Sequence, residues 1–138
     1  MRVLQCDNVL CVDVDDTLVS WEPVPIDPYD LSGPRCDRAD QSTVREVEIE
    51  LEGETQKYWA FEANIKSLKT HYHKGHSVVV WSGSGHAWAE AVVRALGLEN
   101  YVELVMAKPR WLLDDMKPAD FLPTPYWGSG DPGKTKLK

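Results

Sequence analysis

The stretch Val9-Leu10-Cys11-Val12-Asp13-Val14-Asp15-Asp16-Thr17-Leu18 decides how this chain is read. It opens as a short apolar run with β-branched residues and then stops abruptly at aspartates, as a buried strand does when it enters a polar loop. Side chains two positions apart on an extended backbone share a side, so Asp13 and Asp15 are placed to face one pocket. Such a pair suits a nucleophile and a general acid/base working on one substrate.

Further along, Val78-Val79-Val80-Trp81 predicts a second buried strand, which leads through Ser82-Gly83-Ser84-Gly85 into a helix. That helix carries Trp88, Val92, Ala95 and Leu96 on one face and is closed by Gly97. Val102 to Met106 predicts a third strand, and Trp111-Leu112-Leu113 a fourth that again ends in carboxylates, Asp114 and Asp115. Between the first two core strands, Val47, Ile49 and Leu51 alternate with Glu46, Glu48 and Glu50, the period of a half-exposed strand. Gly53 marks a turn, and Tyr58, Trp59 and Phe61 fill the return strand, so a β-hairpin over about 42–61 is inserted here. Phe61, Ile65, Leu68 and Tyr72 predict a helix over 62–74 with Gly75 as its stop. Residues 21–40, with four prolines, predict an irregular excursion.

Strands separated by helices argue for an α/β fold on a parallel sheet, whose ligands bind at the carboxyl ends of the strands. Asp13, Ser82 and Asp114 each follow an apolar run, so this fold gathers them along one edge. A single domain over 1–122 and a flexible tail over 123–138 are expected.

The composition agrees with one globular domain: 138 residues, 43% hydrophobic and 27% charged. A formal net charge of -7 disfavours phosphate backbones as partners. No apolar run approaches the roughly 18 residues of a membrane span, and the opening residues run into aspartates, so a cytoplasmic protein without a membrane partner is expected. Cys6, Cys11 and Cys36 lack CxxC spacing and predict neither a disulfide framework nor a zinc site.

Clustered carboxylates repel one another and any phosphate unless a hard divalent cation lies among them, and Mg²⁺ accepts few protein oxygens while keeping water and phosphate ligands. Ser82, the amide of Gly83 and the Lys108 ammonium are the candidates for holding the oxygens of a transferring phosphoryl group. In this order the residues resemble the haloacid dehalogenase superfamily of phosphotransferases. Val12-Asp13-Val14-Asp15-Asp16-Thr17-Leu18 is similar to its first motif, Val80-Trp81-Ser82-Gly83 to its second, Lys108-Pro109 to its third, and Leu112-Leu113-Asp114-Asp115 to its fourth. The likeness runs from about Val9 to Asp115, and the first motif is its specific part. Lys108 lies only six residues before Asp114, a shortening found in compact members, including some from phages.

The resemblance implies a three-layer, Rossmann-like core with the hairpin as a small flap. It also implies a reaction, in which Asp13 attacks phosphorus to form an aspartyl phosphate and Asp15 protonates the leaving group and then activates water. Asp13, the carbonyl of Asp15 and Asp114 or Asp115 would bind Mg²⁺, with Asp114 favoured over Asp115. The expected activity is phosphomonoester hydrolysis on a small phosphorylated metabolite or nucleotide. The alternatives are a phosphatase of polynucleotide ends and a catalytically inactive binding module of the same fold. The acidic stripe Glu46, Glu48, Glu50, Glu52 argues against polynucleotides, although a basic patch of Lys57, Arg35 and Arg38 over the site would reverse that. A homo-oligomer is compatible with all three.

Other signals have plainer readings. Gly128 to Thr135 matches G-x-x-x-x-G-K-[ST], yet Pro123-Thr124-Pro125 precedes it where a phosphate-binding loop needs a buried strand. His71, His73 and His76, spread along a helix and past a glycine, are expected at the surface and apart. Trp59, Trp88 and Trp111 fit core stripes, whereas Trp21 and Tyr29 are placed to line a substrate entrance as readily as not.

Overall fold

The computed structural model of the protein describes residues 7–21 and 44–122. Two small sheets organise them. The first is parallel, in the order β1 (Val9–Val12), β5 (Ser77–Ser82), β6 (Leu104–Ala107). The second is antiparallel, in the order β2 (Val19–Ser20), β4 (Glu54–Phe61), β3 (Val44–Leu51). Helix α1 (Glu62–His73) connects β4 to β5, helix α2 (His86–Ala95) connects β5 to β6, and a single turn, α3 (Pro118–Phe121), comes last.

β5 is central because its sequence tolerates burial on both sides: Val78, Val79 and Val80 are buried, and Ser77 and Ser82 with them. Its register against β1 pairs Val12 with Val80, and against β6 pairs Ser82 with Ala107. Asp13, Gly83 and Lys108 therefore leave the same edge of the sheet. Ile65 and Leu68 of α1, and Ala89, Val92 and Val93 of α2, close the core around Val12, Val78 and Val80. Each fully buried aliphatic side chain of this kind contributes about 1.5–3 kcal/mol relative to an exposed one.

The hairpin forms with the predicted alternation: Val47 and Ile49 are buried, Glu46, Glu48 and Glu50 exposed. Glu52 and Gly53 both take positive φ, 55° and 81°, the backbone of a two-residue turn matched to strand twist. The hairpin strand β3 packs on α2. β2 has no counterpart in the sequence pattern. Leu18 and Val19 are buried, Phe61 N donates to the Leu18 carbonyl at 2.9 Å, and Val19 pairs with Ala60, so the loop after β1 is sewn to the hairpin.

The C-terminal end of α1 corrects one expectation. Gly75, at φ 86°, lets the chain reverse, with Gly75 N bonded to the Tyr72 carbonyl at 2.9 Å and His76 N to that of His71 at 3.0 Å. This reversal lays His76 back over His71, with their Nδ1 atoms 2.9 Å apart. The two histidines thus meet across the glycine, and His71 is 8% exposed rather than a surface residue. Burial, then the nearby His76 and Lys74, push the His71 pKa down.

A second correction concerns 111–113, which form no strand. Trp111 is 92% exposed and Leu113 fully so, and the segment pairs with neither sheet. Trp111 is accordingly no core residue. Burial of a strand requires a free partner edge within reach, and three residues after Lys108 the chain has not travelled back to the start of the sheet. Residues 22–43, Tyr29 among them, and the tail over 123–138 lie outside the described residues.

Candidate active site

The site starts from β1. Val12 and Val14 are drawn into the core, the second with no exposed surface, and alternation turns Asp13 and Asp15 to the other side. The Val14 carbonyl then accepts the amides of Leu18 at 2.8 Å and of Thr17 and Val19 at 3.2 Å, closing a tight loop. Asp16 sits in that loop at φ 61°, a left-handed conformation that Asp accepts better than most residues. Asn64 of α1 donates its Nδ2 to the Thr17 carbonyl at 2.7 Å and fastens the loop to the helix.

Each carboxylate has its own set of donors. Asp13 Oδ2 accepts the Thr17 hydroxyl at 3.1 Å, and Asp13 Oδ1 pairs with the Lys108 ammonium at 2.9 Å. Asp15 Oδ2 accepts the Ser84 hydroxyl at 2.9 Å, and Asp15 Oδ1 the Trp88 indole N–H at 2.8 Å. Asp13 thus sits beside a cation, whereas Asp15 is oriented by neutral donors.

Ser82 underlies both arrangements. Its side chain is fully buried, its Oγ accepts the Ser84 amide at 3.0 Å, and its carbonyl accepts the Lys108 amide at 2.9 Å. Ser82 therefore sets the positions of Ser84 and Lys108, while Gly83 is exposed at the edge. Lys108 reaches Asp13 directly because β6 ends one residue earlier, in register with β5.

Asp114 and Asp115 are placed elsewhere. Both are exposed, and Asp114 Oδ1 accepts the Met116 amide at 2.9 Å, a local turn of its own. Among the described residues, no group of three or more His, Cys, Asp or Glu side chains stands close enough to hold a metal ion together. The oxygens that remain, the Asp13 carboxylate and the Asp15 carbonyl at one strand end, are hard oxygens of the kind Mg²⁺ takes in ones and twos beside phosphate and water. That chemistry fits Mg²⁺ with two protein ligands. It does not fit a fully protein-caged cation.

A cavity of about 450 Å³ adjoins Asp15, between the hairpin and α2. Tyr58 and Trp88 meet in its wall, with ring centroids 5.1 Å apart and planes at 51°. Trp21, 60% exposed, also lines it. Lys57, one candidate for a basic patch, pairs instead with Glu46 at 3.4 Å, and Arg35 and Arg38 lie outside the described residues.

Thr17, Asn64, Ser84 and Trp88 join the site without a sequence assignment to it. Thr17 lies inside the first motif and Ser84 two residues past the second strand's serine, so proximity to those motifs is the available signal. Trp88 is hidden by its fit to the apolar stripe of α2. Asn64 lies beside Ile65 on the buried face of α1, a face that also carries Ser67 and His71, so its polar character alone does not single it out.

No family model, no curated protein and no solved structure matches the chain. No helix among the described residues is long and apolar enough to cross a membrane.

Proposed function

We propose that this protein is a Mg²⁺-dependent phosphomonoester hydrolase of the haloacid dehalogenase type, working through an aspartyl phosphate. The observation that carries the reading is the division of labour between two carboxylates at one strand end. Asp13 is paired with Lys108, and Asp15 is held apart by Ser84 and Trp88. The three-strand parallel sheet is read as a small Rossmann-like core and the hairpin as its flap.

In this reading an Asp13 oxygen attacks phosphorus, an O–P bond forms, and the bond from phosphorus to the leaving oxygen breaks. Asp15, in its protonated form, gives its proton to that oxygen as the alcohol departs. Asp15 then takes a proton from water, the water oxygen bonds to phosphorus, and the Asp13 O–P bond breaks to release inorganic phosphate. Lys108 and the Gly83 amide would hold the oxygens on which charge accumulates. The Asp13 carboxylate and the Asp15 backbone carbonyl would hold Mg²⁺, which when bound supplies Lewis-acid neutralisation of the phosphoryl oxygens. Thr17 and Asn64 keep the loop carrying both carboxylates in place.

The test is steady-state hydrolysis of an aryl phosphate with and without Mg²⁺, in wild type and in Asp13→Asn. Metal-dependent turnover that disappears in the variant supports the reading. Equal turnover in the two proteins contradicts the role of Asp13.

A further inference from the structure

We infer that the cavity between the hairpin and α2 seats the leaving alcohol, and that this alcohol carries a planar aromatic or heteroaromatic ring and no second anionic group. The inference rests on the phosphatase reading and specifies its substrate class. It begins from the geometry of Asp15. A proton donor must lie within hydrogen-bond reach of the oxygen it protonates, so whatever is attached to that oxygen projects into the space beside Asp15. That space is the cavity, which Asp15 and Ser84 both line.

Its volume of about 450 Å³ lies in the range of small-molecule sites. Its walls bring together Tyr58 from β4, Trp88 from α2 and Trp21 from the chain leaving β2. Three aromatic residues from three separate elements at one small recess match a flat ring by stacking and edge contacts. The Trp88 indole is fixed by its bond to Asp15, so seating the ring and orienting the proton donor involve the same side chain. Trp21 is 60% exposed, a large apolar surface that a bound ring would cover.

Charge sets the second part of the specificity. Glu52 and Glu54 line the cavity along with Asp15, and no lysine, arginine or histidine does so among the described residues. A second phosphate on the alcohol would enter a field of carboxylates where none of the described residues supplies a cation to receive it. Nucleoside monophosphates have the required shape and charge, whereas nucleoside 3′,5′-bisphosphates and polynucleotides carry anions into the wrong place.

The experiment compares adenosine 5′-monophosphate, adenosine 3′,5′-bisphosphate and glycerol phosphate in the presence of Mg²⁺. The nucleoside monophosphate and glycerol phosphate both offer ordinary alcohol leaving groups, so their difference reads the ring. Expected is a kcat/KM for adenosine monophosphate about tenfold or more above glycerol phosphate, within the range one stacked base provides. Tyr58→Ala should reduce that ratio, and Glu52→Gln with Glu54→Gln should raise adenosine 3′,5′-bisphosphate relative to the monophosphate. In parallel, phosphate-free adenosine is titrated while the Trp88 indole N–H is followed by NMR, a readout that needs no turnover. If phosphates are hydrolysed but the ring confers no advantage and adenosine leaves Trp88 unmoved, the inference is overturned and the phosphatase reading stands. If nothing is hydrolysed yet adenosine shifts Trp88 saturably, and Tyr58→Ala abolishes the shift, the phosphatase reading fails and the ring site stands. Silence in both arms overturns both.

Discussion

Two regions of this chain share one sequence pattern and come to different ends. Val9 to Asp13 and Trp111 to Asp114 are both short apolar runs that stop at acidic residues. The first is a strand paired with β5, its aspartate held between Thr17 and Lys108. The second is unpaired, with Trp111, Leu112 and Leu113 all exposed and Asp114 turned onto its own backbone. An apolar run is an offer of burial. What accepts it is a partner strand and a helix face. Residues 9–12 pair with β5 from Val9 against Ser77 to Val12 against Val80, which buries Val12 and part of Leu10. Val9 and Cys11 stay exposed, so the strand is buried at one end and not along its length as its apolar run predicts.

Substitutions at the two aspartates sharpen the contrast most. Asp13→Asn is expected to lower kcat/KM by about 10³-fold or more, as loss of a covalent nucleophile does. Asp114→Asn and Asp115→Asn are each expected to change it by less than about threefold, within the ±0.5 kcal/mol of ordinary surface changes. A loss at Asp114 comparable to that at Asp13 would mean that 111–115 folds against the site during turnover. Lys108→Ala should cost about 2–4 kcal/mol of transition-state stabilisation, read from kcat/KM, and a change under about tenfold would remove Lys108 from the charge-bearing set.

Stability separates the two regions in the same way. Leu68→Ala, at 1% exposure, is expected to lower unfolding free energy by about 2–5 kcal/mol in a denaturant titration. Leu113→Ala should fall within about 0.5 kcal/mol of wild type, and a larger loss would show that this segment is buried in solution.

The smallest expected effect lies at His71. Its pKa is depressed in the fold, so the unfolded chain binds the proton first as pH falls. Stability is therefore unaffected well above the ordinary histidine value of about 6.5 and declines as pH drops from there toward the lowered folded value. His71→Gln should flatten that part of the stability profile. An unchanged slope would assign the acid sensitivity to other groups.

Much of this molecule is legible in its sequence because local signals and tertiary demands agree. Alternating apolar residues and glutamates fix the face of β3, Gly53 its turn, and Gly75 and Gly97 the ends of the two long helices. The strand-end positions of Asp13 and Ser82 follow from apolar runs alone. The remainder depends on long-range geometry. β2 is two residues long and exists only because β4 is beside it. Trp88 looks like core from its spacing, yet its N–H finds Asp15 across 73 positions of sequence. The meeting of His71 with His76 requires the bonding of a glycine reversal, which residue spacing on an ideal helix does not convey.

Phosphorylation of Asp13 during turnover is what acid quenching reads most directly. The protein is mixed with Mg²⁺ and an excess of an aryl phosphate, whose weakly basic leaving group departs with little need of the Asp15 proton, then quenched, digested and analysed by mass spectrometry. The account predicts a phosphoryl group on the peptide containing Asp13, located on that residue, more abundant in Asp15→Asn because its hydrolysis is slowed. Turnover with the phosphoryl group on another residue, or with none trapped even in Asp15→Asn, would contradict it.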